Sequence, residues 1–228
     1  MLVRVGTLSD AFLLLFDDPG HPGDDCRGPR ERVPCNRLVV ALAVALFAVM
    51  ASPAGATVRR LTKRDITARN IPSSCPGADL RPTEQDLGRI CAATLCLVNR
   101  ERAGQGERPL APNERLGQAA QAHTENMAFG DYFEHDGPRG ETPLSRMRAI
   151  GYISSSQIGH EVGENIGWGT RWEGTPRAIV AAWIASPRHR ANILDARFRD
   201  TAVGVSPHPP CSLARGQDGA IYTQDFGG

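Results

Sequence analysis

Residues 95–128 read LCLVNRERAGQGERPLAPNERLGQAAQAHTENMA, two amphipathic stretches divided by a turn. The first begins upstream. Leu87, Cys91, Leu95 and Val98 recur at steps of four, four and three, which is one face of a 3.6-residue helix. Thr83 is placed to cap it ahead of Glu84, with Pro82 just outside, and Gly104 and Gly106 end it. Asn113 caps the second stretch, in which Leu116, Ala120, His123 and Met127 share a face. Further on, Gly130, Gly137-Pro138 and Gly140 mark a loop. Thr142-Pro143 and Thr175-Pro176 each join a capping hydroxyl to a proline at the first helical position. They open helices through Met147 and Ile150 and through Ile179, Val180 and Trp183. Between them, Gly159, Gly163, Gly167 and Gly169 make residues 159–170 a segment governed by backbone freedom. Ser186-Pro187 reads as a helix stop that presents His189 from a fixed turn. Strand-like runs close the chain, at 202–206 and 220–226. Helices first and strands last, with no βαβ alternation, predict an α+β domain with helices packed on a small antiparallel sheet.

The 228 residues allow one or two domains. Lys and Arg total 26 against 25 acids, a formal net charge of +1, so no basic field invites nucleic acid. Residues 38–50, LVVALAVALFAVM, are uncharged but too short to span a bilayer, which takes about 20 residues. Arg37 precedes them and Ala54-Gly55-Ala56 follows, so they read as a signal peptide cleaved after Ala56. The expectation is a secreted protein with no stable transmembrane segment once that signal is removed. Residues 1–32 carry Asp17, Asp18, Asp24 and Asp25 and are too long for a signal's n-region; they fit a start site assigned too early. The division expected is therefore 1–56 extension and signal, 57–80 flexible leader, and 81–228 one folded domain.

Four cysteines follow the cleavage site, Cys75, Cys91, Cys96 and Cys211, and an even count in an exported chain favours two disulfides. Cys91 and Cys96 on one helix stand about 8.7 Å apart by helix geometry. That exceeds the roughly 7 Å a bridge can reach. One of them is expected to pair with Cys75 and the other with Cys211.

Several common chemistries are missing. No G-x-S-x-G elbow, phosphate-binding loop or dinucleotide fingerprint occurs. The run from His160 to Glu164, HEVGE, lacks the second His of a zincin, and its flanking glycines oppose the helix such a motif needs. What remains is a scattered polar set: His135, Glu164 and His189.

Five stretches surround that set: 95–128, YFEHDGPRGETPLSRMRAIGY (132–152), GENIGWG (163–169), AWIASPRHRANILDARFRDTAVGV (182–205) and YTQDFG (222–227). Together they resemble the secreted bacterial branch of the CAP superfamily, the cysteine-rich secretory, antigen 5 and pathogenesis-related-1 group. The resemblance implies a three-layer α-β-α sandwich around a short antiparallel sheet, over residues 81–228. It also implies a shallow cleft where two His and two acids can hold a divalent metal. His135, Glu164 and His189 match three of those positions; the second acid falls near Ser186, which has no carboxylate.

Two imidazoles and a carboxylate can hold Zn²⁺ with water in the fourth position, so the candidate metal set is His135, Glu164 and His189. Glu161 and Asp136 are candidates to assist. Without the metal, the three residues would form a hydrogen-bonded polar cluster. His123 reads as a buried, satisfied His that supports the cleft, and Asn165 as a turn-stabilising side chain. Trp168 and Trp183 read as packing aromatics, and Arg190 and Asn192 as ties to backbone carbonyls. The family has no single shared activity. The reading is thus a non-enzymatic binding module for a lipid, a cell-wall component or a protein, with a metal-dependent hydrolase acting through His135, Glu164 and His189 as the alternative.

Overall fold

The computed structural model describes residues 3–4, 74–153 and 160–228. The signal segment, its cleavage site and residues 57–73 of the expected leader lie outside the described residues.

Among the described residues, five strands form one sheet: β1 (Val3–Arg4), β2 (Ala111–Pro112), β3 (Val162–Thr170), β4 (Asp200–Ser206) and β5 (Gly219–Gly227). Their order is β1-β3-β5-β4-β2. The long strands β3, β5 and β4 are antiparallel neighbours, while the two-residue edges pair in parallel, β1 with β3 and β2 with β4. Helices α1 (Leu87–Gly104), α4 (Pro176–Ala185) and α5 (Pro187–Leu194) cover one face. Their Ile90, Val98, Ile179, Trp183 and Ile193 pack on Val203, Tyr222 and Phe226. Helices α2 (Glu114–Gly130) and α3 (Pro143–Ala149) cover the other, where Leu116, Met127 and Met147 meet Val162, Ile166, Trp168 and Ile221. A short α6 (Cys211–Ala214) adds Ala214 to that second layer. The fold is the α-β-α sandwich that the family resemblance implies, within the α+β class expected from the order of elements.

The caps explain most boundaries. Asn113 Oδ1 accepts from the amides of Arg115 and Leu116, Thr142 Oγ1 from Ser145, and Thr175 Oγ1 from Ala178. Helix α1 departs from expectation: it starts at Leu87, because Thr83 and Asp86 bond each other in a turn before it. Ser186-Pro187 also departs. Pro187 ends α4 and occupies the first position of α5, so His189 lies on a helix and not on a turn.

The largest correction concerns residues 162–170, which form a nine-residue strand beside the central β5. Their glycines serve close packing. A Cβ on Gly167 would come 2.9 Å from the Trp183 indole nitrogen, and one on Gly204 of β4 would come 2.5 Å from the backbone of α2. Both helical layers thus lie against the sheet backbone itself.

Residues 75–80, assigned by sequence to the leader, are bound to the domain. Cys75 is bridged to Cys96 on α1, and Ala78 O accepts from the Arg177 amide. Asp79 takes both arms of the Arg177 guanidinium at 2.6 and 2.8 Å. The bridge is one of the two pairings expected for Cys75; Cys91 and Cys211 are disulfide-bonded as well. At the far end of α1, the buried Arg102 guanidinium donates to the carbonyls of Arg108, Ile193 and Asp195 and fixes the end of α5.

Candidate functional site

Alternation along β3 places Val162, Glu164, Ile166 and Trp168 on the face covered by α2 and α3. Glu164 is a fully buried carboxylate in an apolar row, which is affordable only with partners. Three elements bring them. The loop after α2 supplies His135, whose Nδ1 donates to Oε1 at 2.8 Å. Helix α3 supplies Arg146, whose Nη2 donates to Oε2 at 2.6 Å. Helix α2 supplies His123, with Nε2 3.9 Å from Oε1.

Arg146 also donates to the carbonyls of Glu141 at 2.7 Å and His135 at 3.0 Å. One guanidinium therefore ties the 135–141 loop and β3 to α3. His123 Nε2 donates to Glu134 O at 2.9 Å, which fixes its proton on that nitrogen because a carbonyl can only accept. Burial pushes His123 down to about 4, against the pull of the Glu164 charge, so it is neutral at pH 7. Burial alone would raise the pKa of Glu164. The hydrogen bond from His135 and the charge of Arg146 outweigh it and hold Glu164 ionised, below its usual range.

A further carboxyl joins from β5. Asp225 is paired in register with Glu164 across the antiparallel ladder and is 1 % exposed. Burial first, then the neighbouring Glu164 charge, raises its pKa well above the carboxylate range, so it is held protonated.

His189 approaches β3 from the other layer. It is buried on α5, and its carbonyl accepts from Asn165 Nδ2 at 3.2 Å. Asn192 of the same helix donates to Glu164 O at 3.1 Å and Asn165 Oδ1 at 2.9 Å. Asn165 is thus a mid-strand tie between β3 and α5, where sequence suggested a turn. Ser186 is buried at the α4–α5 junction. Glu161 pairs with Arg197 at the surface, and Asp136 is exposed. The structure therefore gathers His135, Glu164 and His123, and adds Arg146 and Asp225, which sequence reasoning missed. Arg146 had no signal, being one of two arginines on a short helix; Asp225 lies in the strand-like run 220–226, where nothing local marks it.

The donor set does not fit a divalent cation as arranged. Among the described residues, no three His, Cys, Asp or Glu side chains are grouped to hold one. Both Glu164 oxygens are engaged, and the Arg146 guanidinium stands where a cation would meet like charge. Arg146 already supplies the positive charge this carboxylate needs.

A family model described as the cysteine-rich secretory protein family, CAP, matches residues 95–226. The chain belongs to that family. The matched CAP region holds α2 to α6, the three long strands and the whole Glu164 cluster. The CAP chain is 31% identical over 177 residues to the uncharacterized protein YkwD of Bacillus subtilis (strain 168), covering 77% of itself and 62% of that relative. It thus spans less than two thirds of YkwD. Among solved structures, it is similar to an extracellular protein containing an SCP domain from Bacillus anthracis, at 24% identity and TM-score 0.49, over 64% of this chain and 44% of that one. An outer surface protein of Borrelia burgdorferi aligns at 17% identity and TM-score 0.49, over 64% of this chain and 94% of its own.

Proposed function

We propose that this CAP-family chain is an exported, non-enzymatic binding module. Its ligand, a lipid, a wall component or a protein, would be met at the shallow surface where the edge of His135 emerges. The observation that carries the reading is that both oxygens of Glu164 are consumed within the protein, by His135 and Arg146. A carboxylate so engaged is neither a free general base nor an open metal ligand. His135 is 8 % exposed, against 1 % or less for His123 and Glu164. Export is supported by the apolar run at 38–50 with its Ala54-Gly55-Ala56 site, and among the described residues no helix is long and apolar enough to cross a membrane.

The test is zinc content by mass spectrometry on protein purified from culture supernatant without chelators, with thermal unfolding before and after chelation. Substoichiometric metal and an unchanged midpoint are expected. One tightly held ion whose removal lowers the midpoint, and whose binding is lost in His135→Ala, would replace the binding-module reading with the hydrolase one.

A further inference from the structure

At the other end of β3 the chain turns through Arg171–Gly174, a single 3₁₀ turn. Seven residues at about 3.3 Å each separate Arg171 from Glu164, so this region is distinct from the His135 cluster. A groove of about 520 Å³ opens here, within the roughly 300–1,000 Å³ of small-ligand sites. Arg81, Thr83, Glu84, Arg171, His208 and Asp218 supply its polar lining. Next to Arg171 in the chain, with the Arg81 guanidinium over its ring, stands Trp172, 67% exposed. The other two tryptophans, Trp168 and Trp183, are buried.

Several features hold that exposed indole in place. Arg171 has a left-handed φ of 49°, an arrangement that costs about 1 kcal/mol or more in a residue with a Cβ. Its amide donates to Asp218 O at 2.7 Å. Trp172 O accepts from both the amide and the hydroxyl of Thr175. The buried Tyr222 hydroxyl donates to Gly174 O at 2.7 Å and anchors the turn from below. The Arg81 guanidinium lies 5.4 Å from the indole centroid. The turn is rigid, and the side chain it presents is a large aromatic facing solvent.

Charge narrows the ligand. Arg81 and Arg171 are balanced by Glu84 and Asp218, and His208 is paired with Glu84 at 3.1 Å. Such a lining gives neither a phosphate nor a cation a net attraction. It does offer arginine forks and carboxylates side by side, suited to donate to and accept from adjacent hydroxyls of one molecule. An aromatic face beside that lining takes the apolar C–H face of a ring.

We propose that the groove flanked by Trp172, Arg81 and Asp218 binds a neutral oligosaccharide, with one sugar ring stacked on Trp172 and its hydroxyls held by the paired charges. This site is independent of what the His135 surface does.

The test is titration of the full mature chain with the soluble tetramer of N-acetylglucosamine, with cellotetraose as a second neutral glycan and a sulfated oligosaccharide of similar length as the anionic control. Binding is read by calorimetry and by tryptophan emission, whose exposed component is Trp172. Saturable millimolar or tighter binding of a neutral tetramer with a change in emission is expected, and preference between the two tetramers identifies the source of the glycan. Trp172→Ala, exposed and so tolerated by the fold, should weaken binding at least tenfold, and Glu84→Gln should weaken it too. No saturable binding of either neutral tetramer, binding unaffected by Trp172→Ala, or preference for the sulfated chain would overturn the proposal.

Discussion

Nη2 of Arg146 lies 2.6 Å from Oε2 of Glu164, and neither side chain is more than 9% exposed. Arg146 enters from α3 and Glu164 from β3, so the pair joins the second helical layer to the sheet. The same guanidinium holds two carbonyls of the 135–141 loop. Its removal would leave a buried carboxylate without its cationic partner.

Arg146→Met should therefore lower the free energy of unfolding by about 3–5 kcal/mol, the usual cost of breaking a buried pair from one side. Urea denaturation at neutral pH measures it. A loss under about 1 kcal/mol would place the pair among solvent-screened surface bridges.

Asp225 should make the protein less stable as pH rises. Its folded pKa is raised by burial and by Glu164, while the unfolded group ionises near 3.8. The folded state then holds a proton the unfolded chain has released, and stability falls above pH 3.8 by up to about 1.4 kcal/mol per pH unit. Asp225→Asn imitates the protonated acid. It should stabilise the fold at about pH 7 and have little effect near pH 4. A destabilising effect at neutral pH, seen in denaturation curves at the two pH values, would mean that Asp225 is ionised in the fold.

His123 acts at the acid end. Its folded pKa of about 4 lies below the unfolded 6.5, so between those values the unfolded chain takes the proton. Stability should fall by up to about 3 kcal/mol on acidification through that window and be unaffected by His123 above it. His123→Gln should flatten the dependence, measured as the denaturant midpoint against pH. An equal slope in wild type and variant would assign the acid loss to other groups.

The Cys75–Cys96 bridge spans 21 residues and fastens the entry of the domain to α1. Loop-closure entropy puts its contribution at about 3 kcal/mol. The double variant Cys75→Ala, Cys96→Ala should lose about that much, and mapping of unreduced peptides from supernatant protein should recover the link. A Cys91–Cys96 peptide would contradict the fold described here.

Much of this architecture is legible in local chemistry. Asn113, Thr142 and Thr175 are side-chain caps, and a capping oxygen placed before an apolar periodicity marks a helix start with no tertiary information. Strand β3 is not legible in that way. Gly163, Gly167 and Gly169 lower its intrinsic strand preference, and what makes it a strand is the room they leave for Trp183, Phe198 and the turn after it. The same limit applies to the site. His135 and Glu164 could be matched through a family pattern, but Arg146 and Asp225 reach Glu164 only through α3 packing and the β3–β5 register. Asn165 was misread because a buried Asn bridging a strand to a helix has the same sequence signature as one in a turn.

The proposal that Glu164 is neutralised by Arg146 and His135, with no metal ion, is open to a direct measurement. Nitrogen-15 NMR of the imidazoles is recorded at neutral pH, before and after equimolar Zn²⁺ is added to chelator-treated protein. His135 should keep its proton on Nδ1, in the hydrogen bond to Glu164, and the spectrum should not change with zinc. Loss of that Nδ1 proton, with His135 and His189 shifting together as zinc saturates, would contradict it.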